Sequence, residues 1–362
     1  MRESSIVVRP QPMDSATYTA SSRLQASGLD SGIRLFEQAA RTVTLPEPPQ
    51  PIAIADYGAA TGYNSLLPVG AAVLALRART RPDHAILVAH TDLPGNDFSA
   101  LFSTLAEDPD SYLKKDSATF ASAVGRSFYR QILPSQSIAL GWSSWATHWL
   151  SRVPAPIGDH IHIAHSADET ARRAYTRQGA LDWHDFVAFR GRELAPGGKL
   201  VVLTLGLDDA GLPGFAGVMQ AILAALHSLV DDGTLHPDEL DRMAIPTVGR
   251  TEKEFRAPFA PSGRFEGLSV EHLELFNAED RFWARYRADG NAVALGAAWA
   301  GFARAAIFPT LTTALDGGPG GPRTGVFVDA LESAVAAYLS GAPQQMTIPL
   351  ATVVLVKRSG AA

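Results

Sequence analysis

Two short apolar runs, each closing on an acid, constrain this chain more than any other feature. "IAIADYG" runs from Ile52 to Gly58 and "HAILVAHTD" from His84 to Asp92. Between them lies a helical stretch from about Ser65 to Arg79. Continuous apolar runs of this length, bounded by glycine and acidic residues, read as strands buried on both faces. "QSIALGWSSW" and "GGKLVVLTLG" continue the rhythm, the latter preceded by the amphipathic "DWHDFVAFRGRELAPGG". Strand and helix alternate in this way through about Leu207, which predicts a parallel sheet with helices on both faces.

Beyond Leu207 the rhythm breaks. Helices and loops without a clear strand run to about Phe259, and then "GRFEGLSVEHLEL" alternates as a strand should. A helical stretch, "NAVALGAAWAGFARAAIF", precedes the loop "DGGPGGPRTG". The helix "VFVDALESAVAAYLS" and the alternating strand "QMTIPLATVVLVKR" follow. Six strands are located in this way. The pattern suggests a core sheet that is left and re-entered. Residues 1–207 would form the N-terminal segment and ligand-binding core, 208–259 a helical cap, 260–276 a core strand, 277–325 more cap, and 326–362 a core helix and the final strand. The proline run Leu45 to Pro51 reads as a linker, because proline blocks both helix and inner strand.

Composition removes several classes of function. The 362 residues carry a net charge of −6, which leaves no general footprint for nucleic acid. There is no cysteine, so disulfides, thiolate zinc sites and cysteine nucleophiles are excluded. No apolar run is long enough to span a bilayer. The start, "MRESSIVVRPQPMDS", has no signal-peptide core, so the expected location is the cytoplasm.

The first chemical motif is "ADYGAATGYNSLL". Asp56, Gly58 and Gly62 fall at a strand-to-helix turn, where glycine lets a ligand approach the backbone. Ala60 occupies the middle position of the dinucleotide fingerprint, and no Gly-Lys-Ser or Gly-Lys-Thr phosphate loop is present. The turn therefore suits a nucleoside without phosphates. Asp92, at the end of the second strand, is placed to hold ribose hydroxyls.

Several separated motifs resemble those of the SABATH family of carboxyl methyltransferases, which includes salicylate, benzoate and jasmonate methyltransferases and the caffeine-pathway enzymes. They are "TYTASSRLQ", "IADYGAATGYNSL", "TDLPGNDFSALF", "GRSFYRQILPSQSI", "WSSWATHWLSRVP" and "RELAPGGKLVV", with the last strand. The resemblance covers almost the whole chain. It implies a Rossmann-like, seven-stranded methyltransferase sheet with helices on both faces and an inserted α-helical cap. It also implies S-adenosylmethionine as methyl donor, with S-adenosylhomocysteine as product. By the same resemblance Tyr18, Ser22 and Asn64 flank the donor's methionine end, and Asp56, Gly58 and Ala59 form the glycine turn. Asp92 binds ribose, Leu93 lies against adenine, Ser127 and Phe128 bind and stack on it, and Ser143 closes the donor side. Gln25, His148 and Trp149 face the acceptor, with Trp145 as pocket wall; Gln25 and Trp149 are the catalytic pair. Family members are often homodimers.

Where some members of the family carry a metal at Phe-Asn-x-Pro, this chain has Phe255-Arg256-Ala257-Pro258. Arginine cannot coordinate a cation, so no metal is expected. Methyl transfer to a carboxylate needs alignment rather than a base, because a carboxylic acid is ionised at neutral pH. The amide of Gln25 and the indole N–H of Trp149 could aim one oxygen at the methyl carbon. The expected reaction is esterification of a small free carboxylic acid. The aromatic stretch "WSSWATHW", which holds no arginine, fits an apolar acid, and the alanine-rich, cysteine-free composition suggests a bacterial source. A medium- or long-chain fatty acid is therefore the first expectation, and a benzoate- or salicylate-type acid the second. Heterocycle N-methylation and non-catalytic binding of donor or lipid acid are weaker alternatives. His160 and His162 would share one face of a short strand, yet the remaining ligands of a metal motif are missing. Trp142, one position before Ser143, reads as core, and the stretch after Ser144 reads as a helix start that presents His148 and Trp149 to the acceptor.

Overall fold

The computed structural model describes the backbone of residues 15–359 and the side chains of residues 28–359. Seven strands form one sheet: β1 Ile52–Tyr57, β2 Ile86–Asp92, β3 Thr119–Gly125, β4 Ile138–Ser144, β5 Leu194–Leu205, β6 Leu268–Asn277 and β7 Pro349–Lys357. Their order across the sheet is β3-β2-β1-β4-β5-β7-β6. The first five strands are parallel, and β7 runs antiparallel to both β5 and β6. The seventh strand, unlocated from the sequence, is β3, an edge strand.

The helices before β5 are α1 Ser15–Thr42, α2 Leu66–Arg77, α3 Phe98–Glu107, α4 Tyr112–Lys115 and α5 Glu169–Glu193. Those after it are α6 Ala216–Asp231, α7 Pro237–Asp241, α8 Glu252–Arg256, α9 Arg281–Asp289, α10 Ala292–Ala306, α11 Phe308–Leu311 and α12 Thr324–Gly341. Short polar side chains start several of them. Asp97 caps α3 through the N–H of Ala100, and Asp168 caps α5 through the N–H groups of Thr170 and Ala171. Thr251 and Glu254 form a capping box on α8.

Strand alternation divides the core. Ile52, Ile54, Val201 and Leu203 face one side, where α1, α2, α6, α10 and α12 bring Phe36, Val69, Ile222, Trp299 and Phe327. Ala55, Tyr57, Leu200 and Val202 face the other side, against Trp183, Phe186 and Val187 of α5. Trp142 belongs to the first layer, fully buried with its ring centroid 5.1 Å from that of Phe36. Among the described residues no single helix is long and apolar enough to cross a membrane.

The sequence expectation fails at two local points. The segment holding His160 and His162 is not a strand. His162 instead caps a short 3-10 turn, Ile163–His165, and accepts the N–H of Ala164 at Nδ1. After Ser144 the chain turns rather than starting a helix. Trp145 adopts a left-handed backbone with φ 54°, and its N–H bonds the carbonyl of Leu203.

Candidate active site

The strand order reverses between β1 and β4, and the crevice outside their carboxyl ends is where ligands bind in sheets of this kind. The glycine turn leaves β1 at that point. Gly58 has φ 87°, and a Cβ there would fall 2.4 Å from Cβ of Ala146, so only glycine fits. The N–H groups of Gly58 and Ala59 both bond the carbonyl of Thr91, which ties the turn to the end of β2. Asn64 lies in the 3-10 turn, Tyr63–Ser65, that follows.

Asp92 faces this turn. Its Oδ2 accepts the N–H of Ala60 at 2.8 Å and its Oδ1 accepts the N–H of Leu93 at 2.7 Å. Burial holds its carboxyl above the usual range, against the pull of those two N–H groups. Such a group favours hydroxyl donors that would offset its desolvation. Phe128 follows the end of β3, with Cε1 3.6 Å from the Cβ position of Gly58, so an aromatic wall stands beside the turn. Ser127 precedes it, and its Oγ accepts the N–H of Tyr129.

Asp56 and Ser143 lie one layer deeper. The carboxylate of Asp56 is buried, accepting from Ser65 Oγ at 2.6 Å and meeting Nδ1 of His90 at 2.8 Å. His90 Nε2 continues to the hydroxyl of Tyr112 at 2.7 Å. Ser143 Oγ donates to the carbonyl of Tyr57. These two side chains brace the strand ends beneath the turn.

The loop after β4 forms the second wall. Trp145 and His148 pack edge to face with ring centroids 6.2 Å apart, and His148 lies 5.7 Å from Trp149. Nε1 of Trp145 and Nδ1 of His148 are buried with no hydrogen-bond partner among the described residues. A ligand with hydrogen-bonding oxygens would satisfy both. Burial, followed by the charges of Arg250 and His162, lowers the His148 pKa to about 3, so the ring is neutral at physiological pH. Tyr18, Ser22 and Gln25 sit on α1, and their side chains lie outside the described residues.

Supports that the sequence reading missed hold both walls in place. Arg190 and Glu193, one turn apart on α5, form a fully buried ion pair at 2.8 Å. Arg190 donates to the carbonyls of Phe128 and Arg130, and its guanidinium lies 4.3 Å above the Tyr57 ring. Glu193 Oε1 accepts the N–H groups of Ile132 and Leu133, while Oε2 accepts the hydroxyl of Tyr57. Buried Arg250 donates to the carbonyls of Thr147 and Gly179. The one available signal was "FVAFRGRE", where Arg190 falls four residues after Phe186 on the same helical stripe.

At the stretch Phe255-Arg256-Ala257-Pro258, the carbonyl of Phe255 accepts the indole N–H of Trp183 and Arg256 pairs with Glu252. His162 Nε2 bonds Thr247 Oγ1. With Nδ1 accepting from Ala164, both of its ring nitrogens have partners. Among the described residues there is no group of three or more metal-ligating side chains.

A glycine turn at the switch point of a seven-stranded sheet, with antiparallel β7 between β5 and β6, is the architecture of an α/β methyltransferase. The chain belongs to the SAM-dependent carboxyl methyltransferase family, whose model matches residues 10–319. Salicylate carboxymethyltransferase of Clarkia breweri is 28% identical over 252 residues, 66% of this chain and 67% of that enzyme. Methyltransferase LUC1 of a Fusarium species is 32% identical over 239 residues, 65% of this chain and 62% of that protein. The chain thus matches about two thirds, or slightly less, of the length of these relatives. Among solved structures, a loganic acid methyltransferase with S-adenosylhomocysteine aligns over 97% of this chain and 99% of its own, with a TM-score of 0.76 at 21% identity. That likeness establishes the fold. S-adenosylmethionine is the family's methyl donor, and the glycine turn, Asp92 and the Phe128 wall fit its nucleoside end.

Proposed function

We propose that this protein transfers a methyl group to a free carboxylic acid, giving its methyl ester, and that the acceptor is a medium- or long-chain fatty acid. The observation that carries the carboxylate reading is the chemistry of the acceptor wall. Trp145, His148 and Trp149 offer neutral N–H groups and apolar ring area, and two of their nitrogens are buried without a partner among the described residues. Bound S-adenosylmethionine supplies an activated methyl group on a positively charged sulfur. The residues of the chain need only hold and aim the carboxylate, which is ionised without a base at neutral pH. Orientation of this kind can lower a barrier by up to ~7–11 kcal/mol. Neutral donors suit the task, since the carboxylate loses its charge as the ester forms and a fixed cation would favour the reactant. The guanidinium of Arg250, which touches the loop, is directed to backbone carbonyls instead.

Trp149 and Gln25 are our choice for the carboxylate donors. α1 passes directly over this wall: a Cβ at Gly28 would fall 3.7 Å from Trp145 Cζ2, and one at Gly32 would fall 3.0 Å from Trp142 Cη2. Position 25 is one turn earlier on the same stripe, which supports the pairing. Segments 208–259 and 277–325 would serve as the cap over the acceptor. A small aromatic acid is the second reading, favoured by the relatives named for salicylate and benzoic acid.

The test is turnover with labelled donor across saturated acids of graded chain length, together with benzoate and salicylate. Ester formation that peaks on a C8–C18 acid is the expected result. Turnover confined to the benzoates would replace the fatty-acid reading, and no ester from any acid would end the carboxylate reading. Gln25→Ala should lower ester formation with little change in donor affinity; equal losses in both would move Gln25 to the donor site.

A further inference from the structure

The two walls meet at one side chain. Tyr129 follows Phe128 in the chain, and their ring centroids are 4.7 Å apart. Its hydroxyl donates to the carbonyl of Trp149, with the carbonyl of Thr147 a second acceptor at 3.5 Å. Among the described residues this is the only side-chain hydrogen bond joining segment 126–130 to segment 145–150. The other anchors of the acceptor loop run elsewhere. Arg250 holds Thr147, the N–H of Val248 bonds the carbonyl of His148, and the N–H of Leu150 bonds that of Pro246. Burial raises the Tyr129 pKa above the ordinary phenol range, so the hydroxyl stays a donor across the working pH range.

We infer that Tyr129 is a positioning residue that couples the donor wall to the acceptor wall: seating the donor against Phe128 fixes the backbone that carries Trp149. The inference rests on the assignment of Phe128 to the donor and Trp149 to the acceptor. Phe128 is itself held from behind by the contact of Arg190 with its carbonyl and by the edge of Phe186, with ring centroids 5.7 Å apart. Movement of Phe128 is therefore confined to the ligand side, and its peptide neighbour moves with it. Coupling of this kind is reciprocal, so the acceptor must also strengthen donor binding.

Tyr129→Phe removes the hydroxyl and keeps the ring, so the packing beside Phe128 remains. Hydrogen–deuterium exchange with and without S-adenosylhomocysteine reads the coupling directly, whatever the acceptor. In the parent protein the ligand should slow exchange in residues 127–133 and also in residues 146–150. In Tyr129→Phe the first effect should persist, and the second should fall at least threefold. Unchanged protection of 146–150 in the variant, or none in the parent, would overturn the proposal. Steady-state kinetics give a second readout. The acceptor KM at saturating donor should rise about 3- to 10-fold, the worth of one buried hydrogen bond, while donor affinity measured without acceptor stays within twofold. An equal loss of donor affinity without acceptor would mark a merely structural role. If the parent makes no ester at all, the acceptor assignment fails, and the exchange result still decides the coupling.

Discussion

Glu193→Ala should be among the most damaging single substitutions outside the ligand-contacting residues. The carboxylate is completely buried and meets four donors: Ile132 N at 2.7 Å, Leu133 N at 3.0 Å, Arg190 Nη2 at 2.8 Å and the Tyr57 hydroxyl at 2.9 Å. Removing it leaves the buried guanidinium of Arg190 without a counter-charge, a loss of about 3–5 kcal/mol. Unfolding entropy near 2.1 cal/mol/K per residue, over 362 residues, is about 0.76 kcal/mol/K, so the melting temperature should fall by roughly 4–7 °C. Tyr57→Phe removes one neutral contact of the four, costing about 1 kcal/mol and roughly 1–2 °C. The same deletion releases the segment from Phe128 to Leu133, so affinity for S-adenosylhomocysteine should fall with stability. Calorimetry on parent and variants gives the melting temperatures, and titration calorimetry gives the affinities. A Glu193→Ala protein that melts within 2 °C of the parent and binds the product equally well would refute the reasoning. The pair would then be a buried charge with no role in holding the donor wall.

Asp92→Ala removes the carboxylate that accepts the Ala60 N–H at the glycine turn and should weaken S-adenosylhomocysteine binding by roughly 10- to 100-fold, in the range of one or two hydrogen bonds to a charged group; a change under threefold by titration calorimetry would remove Asp92 from the donor site. His148 and His162 both have pKa values lowered to about 3, chiefly by burial, against about 6.5 in an unfolded chain. Between pH 6.5 and 3 the unfolded chain therefore binds the extra protons, and folding stability must fall as pH falls through that window. Each ring should contribute a loss of about 2 kcal/mol between pH 7 and pH 5. Denaturant melts of His162→Gln, run at both values, should show a correspondingly flatter pH dependence, and an unchanged slope would contradict the burial argument.

The sheet was largely legible because buried parallel strands must be almost wholly apolar, and β1, β2, β4 and β5 are. β3 was not. "TFASAVG" is mostly small side chains, and its Phe120 projects into solvent at the sheet edge. The loop after β4 was misjudged for a different reason. Its shape depends on bonds from Trp145 to Leu203 and from Leu150 to Pro246, partners that local propensity does not reveal. His160 and His162 miss the strand geometry because the segment forms no ladder; the carbonyl of Ile161 accepts one bond, from Ile245. Asp56, Gly58, Asp92 and Ser143 could be placed beside one turn from the sequence because each stands at or next to a strand end. Arg190, Glu193, Arg250 and Tyr129 were not, since their contacts join segments 20 to 136 residues apart.

The position of β7 sets an order of assembly. It follows every other strand in the chain, yet it lies inside the sheet between β5 and β6. A growing chain can align the five parallel strands as they emerge, but β5 must then present an open edge of unpaired N–H and C=O groups. β6 has no strand to pair with until Pro349–Lys357 is made. Closure of the sheet is thus deferred until Pro349–Lys357 has been made, after the six other strands. Until then the apolar edge of β5 is the surface most in need of protection from other chains.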